Sequence, residues 1–256
     1  MKEPGDMHLV RYELDGSIRH GILEDGSISE IEGDFFGDRR RTGAVVALDA
    51  VTLKSPTAPS KVINAAGNYE SHMAGAPKPP RPKPFLAPST SVTDPGANVV
   101  MPRETPVSYE GEMAVVISKR GRHIAEEDVS DYILGVCCAN DVSAYEWVGA
   151  DSDWFRGKGT DTFSPFGPWV TPGLDYRDLQ LITRVNGEVV EDTRTTKMFY
   201  GVDELVSYVS RYMTIEPGDV FFTGTSGEST PLNDGDVVEV EVEGNGVLSN
   251  TFVLAP

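Results

Sequence analysis

Three acidic side chains carry the clearest chemistry in this 256-residue sequence. The segment Tyr-Glu-Gly-Glu-Met-Ala-Val-Val-Ile sets Glu110 and Glu112 two residues apart, just ahead of the apolar run Met113 to Ile117. In a strand, residues two apart project from one face. Two carboxylates that close repel, and each tends to hold a proton unless a cation lies between them. At the mouth of an apolar strand both are costly to desolvate unless paired or metal-bound. Asp141 ends a second apolar stretch, Cys-Cys-Ala-Asn-Asp-Val-Ser-Ala, at a strand-to-loop position where functional groups concentrate. Three carboxylates without histidine or thiolate make a hard oxygen site, suited to Mg2+, Mn2+ or Ca2+ rather than zinc. They leave about three of six coordination positions for water or substrate. The competing reading of Glu110 and Glu112 alone is a solvent-facing strand with an incidental acidic pair.

Other polar residues stand in unusual settings. His72 lies in Gly-Asn-Tyr-Glu-Ser-His-Met-Ala-Gly, as a proton carrier or as an ordinary surface histidine. Lys158 sits among aromatics, glycines and prolines in Trp-Phe-Arg-Gly-Lys-Gly-Thr-Asp-Thr-Phe, where a lysine can stabilise negative charge developing on an oxygen. Its bland alternative is a surface lysine. Thr223 to Thr230, Thr-Gly-Thr-Ser-Gly-Glu-Ser-Thr, offers amides and hydroxyls to a carboxylate, or is simply a flexible turn. His8, His20 and His123 occupy plain strand or turn contexts. Cys137 and Cys138 are adjacent, which disfavours a disulfide between them, and they read as small buried residues.

The elements that must position these groups are mostly strands. Period-two alternation in residues 8–14, 18–24 and 45–51, with Asp15-Gly16 and Asp25-Gly26 as turns, predicts a small β-rich N-terminal lobe over residues 1–58. A catalytic domain over 59–256 follows the proline-containing connector Ser55 to Lys61. Further strands are expected at 107–117, 136–141, 180–190, 219–226, 236–244 and 247–254, with hairpin turns at Asn186-Gly187 and Asp234-Gly235. Helices are expected at 125–135 and 202–213, the second from Val202, Leu205, Val206 and Val209 at helical spacing. Ala76 to Pro84 is too proline-rich for helix or central strand. It is either a solvated extended segment or a cover over a pocket, with Lys78, Arg81 and Lys83 attracting anions. The fold class is therefore α+β, dominated by β-structure.

A formal charge of -18 argues against nucleic acid and anionic membranes as partners. No run of about eighteen apolar residues suggests a membrane helix, and Met1 to Gly16 lacks the pattern of a signal peptide. With only two cysteines, a reducing, cytoplasmic setting fits. An anionic substrate would need a local positive site within this negative field, which a divalent cation provides.

These segments together resemble the fumarylacetoacetate hydrolase family. The likeness runs from Lys-Val-Ile-Asn-Ala-Ala-Gly-Asn-Tyr-Glu-Ser-His through the Glu110 and Asp141 motifs, Lys-Gly-Thr-Asp-Thr-Phe-Ser-Pro-Phe-Gly-Pro-Trp, Val-Asn-Gly-Glu, Pro-Gly-Asp-Val-Phe-Phe-Thr-Gly-Thr-Ser-Gly and the C-terminal strands, about residues 59–256. The N-terminal part is similar to the small leading domain of short members. The resemblance implies a mixed β-sandwich roll, commonly a homodimer, with Mg2+ or Mn2+ on Glu110, Glu112 and Asp141. It implies His72 and Lys158 as catalytic residues, and Tyr69, Tyr145 and Thr225 as substrate-binding residues. It also implies a small anionic oxo-acid substrate. The expected reaction is hydrolysis of a C–C bond in a 2,4-dioxo acid of acylpyruvate type. Alternatives are a decarboxylase, isomerase or tautomerase working through an enolate, or a catalytically weak metal- and ligand-binding member.

Departures bear on that choice. Gly75 stands where hydrolytic members carry a glutamate that orients the histidine and raises its basicity. Ala87 replaces a lysine, Tyr145 an arginine, Val148 a glutamine, and Glu191 the glutamine after Asn-Gly-Glu. The metal centre is retained better than the groups that read the substrate.

Overall fold

The computed structural model describes residues 7–256. Residues 1–6, where the segment read above as lacking a leader begins, lie outside the described residues. Four N-terminal strands, His8–Leu14, Ser17–Glu24, Ser27–Gly33 and Arg39–Ala47, form an antiparallel meander. Asp15 and Gly16 sit at φ 51° and 73°, and Asp25 and Gly26 at 50° and 75°. Both central residues of a type I′ turn need positive φ, which Asp-Gly accepts at low cost. Leu9 pairs with Val170, so the meander continues a twelve-stranded sheet rather than standing apart from it.

The site-bearing strands, Gly111–Ile117 and Ile133–Asn140, lie in the middle of that sheet. A five-stranded sheet packs on one face, built from Glu188–Arg194, Gln180–Val185, Val237–Val242, Gly246–Leu254 and Asn98–Met101. Met113, Val115, Ile117, Val136 and Cys138 meet Leu181, Val240, Leu248 and Phe252 between the sheets. Ala114, Val116, Cys137 and Ala139 point the other way, onto Leu9, Ile22, Val62, Phe166 and Phe222. Burial on both faces explains why Met113 to Ile117 is a continuous apolar run rather than an alternating one.

Several expectations hold in detail and several do not. Asn186 and Gly187 turn a hairpin at φ 51° and 83°. Val202–Ser210 is an α-helix burying Val202, Leu205, Val206 and Val209, and the Glu204 carboxylate accepts the Gly201 N–H at 3.0 Å. The helix expected over 125–135 is instead a 3-10 segment, Glu126–Tyr132. Ile133 to Gly135 belong to the strand, where Ile133 pairs with Ile117; burial in the sheet outweighs a weak helical pattern. Residues 48–51 leave the predicted strand as a 3-10 turn, Leu48–Ala50. Asp234-Gly235 is a loop turn, not a hairpin: only Gly235 has positive φ, and no strand immediately precedes it. Residues 76–83 have no regular structure, but Pro84–Ala87 forms the edge strand of the large sheet. The proline-rich stretch is held at one point by the Tyr200 hydroxyl, which donates to the Pro79 carbonyl, and Lys78 lies over the Tyr200 ring. Among the described residues no helix is long and apolar enough to cross a membrane.

Gly111, between the two glutamates, faces the second sheet. A Cβ there would sit 1.8 Å from Thr183 Oγ1 and 3.1 Å from Glu191 Oε2. Gly111→Ala should therefore destabilise the fold by about 2–3 kcal/mol. Chemical denaturation of the purified variant checks this, and a midpoint equal to the parent's would refute it.

Candidate active site

Strand register assembles the acidic cluster. Gly111 pairs with Asn140 and Glu112 with Ala139. One step further, the Asp141 N–H donates to the Glu110 carbonyl at 2.9 Å, setting these two residues opposite each other. Directly opposed residues share a face, so Glu110, Glu112 and Asp141 all project from one side. Their ligand oxygens lie within 4.8 Å of one another, and all three are buried.

Each carboxylate is held separately. Glu110 Oε1 accepts the Ser143 hydroxyl at 2.8 Å and the Tyr145 hydroxyl at 2.6 Å. Its Oε2 lies 3.0 Å from Lys158 Nζ. Burial raises the Glu110 carboxyl, but Lys158, His72 and these donors outweigh it, leaving it below the usual range. Glu112 accepts the Gly224 N–H. Burial, then Asp141 and Glu110, push its carboxyl well above the usual range. Asp141 Oδ2 accepts Lys158 Nζ at 2.7 Å, while Oδ1 is buried without a hydrogen-bond partner. Burial lifts Asp141 to about 7, with Lys158 opposing the rise and Glu110 adding to it.

Lys158 reaches this cluster from a short helix, Phe155–Gly159. Gly157 lets that helix touch the preceding one, Tyr145–Ala150: a Cβ would meet Val148 Cγ2 at 2.5 Å and Val148 N at 2.8 Å. The Ala144 N–H donates to the Gly157 carbonyl at 2.9 Å, which locks the pair and turns Lys158 inward. Burial disfavours its charge, yet Asp141 and Glu110 overcome this and hold it charged above the usual lysine range.

With all three carboxyls ionised, the single ammonium would leave two net negative charges in a buried site. A divalent cation would cancel them, and the unpartnered Asp141 Oδ1 is a free donor for it. The donor set therefore fits a hard divalent ion.

His72 donates from Nδ1 to the Gly227 carbonyl at 2.9 Å. A carbonyl only accepts, so the neutral ring keeps its proton on Nδ1 and Nε2 presents a lone pair. The orienting group missing at Gly75 is thus replaced by a backbone carbonyl. His72, Glu110, Asp141, Tyr145 and Lys158 line one cavity of about 270 Å3 with Phe85 and Trp154. A groove of about 440 Å3 between Pro84–Leu86 and Tyr208–Met213 is larger but contains no carboxylate or histidine, so chemistry rather than size marks the site.

Tyr69 and Thr225 do not line this cavity. Tyr69 is buried with an unpartnered hydroxyl, kept protonated by burial and by Glu191 and Glu112. It borders a neighbouring cavity with Glu191 and Ser226. Thr225 donates to Glu191 Oε1 at 3.3 Å, and the Ser226 N–H donates to the same oxygen at 2.7 Å. Glu191, read in the sequence only as a lost glutamine, therefore anchors the loop after Phe222. Ser143 and Gly224 also went unrecognised as partners of the acids. The motif Asp-Val-Ser signals Ser143, two residues beyond Asp141, but nothing local signals Gly224.

A family model described as fumarylacetoacetate (FAA) hydrolase C-terminal matches residues 61–253. The chain belongs to the fumarylacetoacetate hydrolase family. A second model, Rv2993c-like N-terminal, matches residues 7–56 of this family member. Its two-sheet, strand-dominated fold agrees with solved family structures. The 5-carboxymethyl-2-hydroxymuconate delta-isomerase of Mycobacterium smegmatis superposes with TM-score 0.92, at 37% identity, covering 97% of this chain and 100% of that one. The mitochondrial oxaloacetate tautomerase of Rattus norvegicus is 37% identical over 79% of this chain and 70% of its own length. The maleylpyruvate hydrolase of Sphingobium sp. SYK-6, in complex with manganese(II) and pyruvate, superposes with TM-score 0.82 at 25% identity, covering 98% and 100% of the two chains.

Because Glu112 and Asp141 hold protons more tightly than ordinary carboxylates, a metal ion must displace protons to bind. Mn2+ binding should release protons at pH 6, and affinity should fall about tenfold per displaced proton for each pH unit below 7. Calorimetry in two buffers of different ionisation enthalpy measures this. Binding without proton release, or undiminished binding by Glu112→Ala, would contradict the site.

Proposed function

We propose that this family member is a divalent-metal-dependent isomerase or tautomerase. It moves a proton on a small unsaturated 2-hydroxy or 2-oxo acid through an enolate. The observation that carries the reading is the setting of His72: its Nδ1–H is bound by the Gly227 carbonyl, which leaves Nε2 free in the cavity that holds the acids. A histidine so held has a free Nε2 to carry a proton. The isomerase and the tautomerase at 37% identity support the same choice.

A divalent cation on Glu110, Glu112 and Asp141 would supply Lewis acidity toward the oxygens of a 2-oxo acid. Around it the protein's own groups act as follows. His72 Nε2 takes a proton from the carbon next to the keto group; the C–H electrons form the C=C bond and the carbonyl π electrons move to oxygen. The Lys158 ammonium, buried and charged, stabilises that oxygen. Protonated His72 then returns the proton, either to the oxygen or to a carbon further along a conjugated chain. No water is consumed. Tyr145 holds Glu110 in place, and Phe85 and Trp154 narrow the cavity and limit water around the reacting carbon.

A second reading is hydrolysis of a 2,4-dioxo acid of acylpyruvate type, favoured by the same free Nε2. The two differ by one water. With Mn2+ and labelled water, the proposed reaction gives a single isomer containing solvent deuterium at carbon and no new 18O. Two fragments carrying 18O would establish hydrolysis instead. Lys158→Met should lower kcat by about 100- to 1000-fold, and His72→Asn should slow deuterium exchange by about 100-fold. Steady-state assays and proton NMR give these readouts; unaltered exchange in His72→Asn would remove that residue from the mechanism.

A further inference from the structure

The polar groups of the acid-holding cavity are gathered together. Glu110, Asp141, Tyr145 and Lys158 are bonded to one another, and His72 is close enough to act on the Glu110 charge. The rest of the lining is Ala66, Gly67, Met73, Phe85, Val148 and Trp154, with Lys83. The Lys83 side chain is exposed, so water and salt screen its charge. A ligand whose acid group sits among the polar residues therefore lays its other end on an apolar wall.

Trp154 joins that wall from a strained backbone. It stands at φ 62° and ψ 5°, and is the largest of the non-glycine residues at positive φ among the described residues. A bulky side chain is rare in this left-handed region, which glycine enters freely. The chain needs the conformation there: Trp154 precedes the helix Phe155–Gly159, and its carbonyl accepts the Lys158 N–H at 2.9 Å. A glycine would meet that need without strain, but it has no ring. The indole meets the Phe85 ring edge-on, with centroids 5.3 Å apart and planes at 77°. Lys158 Nζ lies 5.6 Å from the Phe85 centroid. One aromatic wall thus runs from the ammonium across Phe85 to Trp154. Strain held at a residue that lines a site points to a function for its side chain.

We propose that Trp154 determines specificity, selecting 2-oxo acids that carry a flat aryl group on the carbon next to the keto group. The proposal rests on the oxo-acid reading above and adds the substrate class. The oxo acid lies toward Glu110, Asp141 and Lys158, and the aryl ring lies against Phe85 and Trp154, where offset or edge-on ring contacts are favourable. A cavity of about 270 Å3 suits a small acid with a single ring. A carboxylate in the ring's place would lie against two aromatic side chains, with Lys158 already engaged by Glu110 and Asp141. The aryl group also suits the proton transfer. Loss of the C–H proton to His72 forms a C=C bond conjugated with the ring, and the carbonyl π electrons move to oxygen. Return of the proton to that oxygen gives the enol, with no atom gained or lost.

Phenylpyruvate and oxaloacetate share the oxo-acid end and differ by an aryl group or a carboxylate on the same carbon. The test follows their keto–enol conversion, above the uncatalysed rate, by ultraviolet absorption with Mn2+-loaded parent, Trp154→Gly and Trp154→Phe. The parent should show kcat/KM about tenfold higher for phenylpyruvate. Trp154→Gly suits the left-handed backbone and should cut that preference by about tenfold, chiefly through a raised phenylpyruvate KM. Trp154→Phe keeps a ring and should retain most of the preference. Oxalate, which reaches only the acids, reports by calorimetry whether the metal end is intact in each variant. A parent that prefers oxaloacetate overturns the role of Trp154 and leaves the oxo-acid reading standing. So does an unchanged preference in Trp154→Gly that still binds oxalate. If Trp154→Gly does not fold, the parent's preference and Trp154→Phe decide. If the Mn2+-loaded parent neither binds oxalate nor turns over either acid, the oxo-acid reading falls and takes this proposal with it.

Discussion

Three carboxyl groups buried together around a single ammonium govern this structure. Glu110, Glu112 and Asp141 are each at most 6% exposed, and Lys158, 5% exposed, balances only one of them. Isolated charges are expensive to bury, so the surroundings are arranged to hold them: hydroxyls from Ser143 and Tyr145 on Glu110, an amide from Gly224 on Glu112, and the ammonium on Asp141. These contacts do not remove the imbalance, since hydroxyls and amides carry no net charge. Protons held on Glu112 and Asp141 relieve part of it, and a divalent cation displacing them would relieve the rest.

The parts of this arrangement legible in the sequence are those set by neighbours along the chain. Asp15-Gly16, Asp25-Gly26 and Asn186-Gly187 turn hairpins because positive φ is a local preference of those residues. Glu110 and Glu112 share a face because strands alternate. Asp141 joins them only through the pairing of two strands some thirty residues apart, which alternation cannot supply; its place at the end of an apolar strand suggested it, and the family resemblance grouped it with the two glutamates. The 3-10 segment at Glu126–Tyr132 was misread because its residues suit a helix, while Ile133 to Gly135 suit either state until the sheet claims them. The contact of Gly157 with Val148, which aims Lys158, leaves no mark beyond a glycine beside a lysine.

Gly75 shows why a departure from a family pattern is hard to weigh without geometry. Read along the chain, it strips His72 of its orienting group. In three dimensions the Gly227 carbonyl, 155 residues away, holds the ring in a defined tautomer. Orientation is thus retained, by a backbone carbonyl in place of a side-chain carboxylate.

One loop joins these functions. Gly224 donates to the Glu112 carboxylate, Thr225 and Ser226 are fastened by Glu191, and the Gly227 carbonyl accepts the His72 Nδ1–H while the Gly227 N–H donates to Ser71. Glu191 is in turn held by Thr183, in the second sheet, at 2.6 Å. The metal-ligand end and the proton-carrying end of the cavity therefore hang on four consecutive residues braced from the opposite sheet. A displacement of that loop moves the partners of Glu112 and His72 together, so under the proposed reaction cation binding and proton transfer would be coupled through shared backbone. This gives the buried acid at 191 a bracing role between the loop and the second sheet. Its two oxygens serve three donors on two elements, and a glutamine oriented to accept from one of them would turn its amide nitrogen toward another.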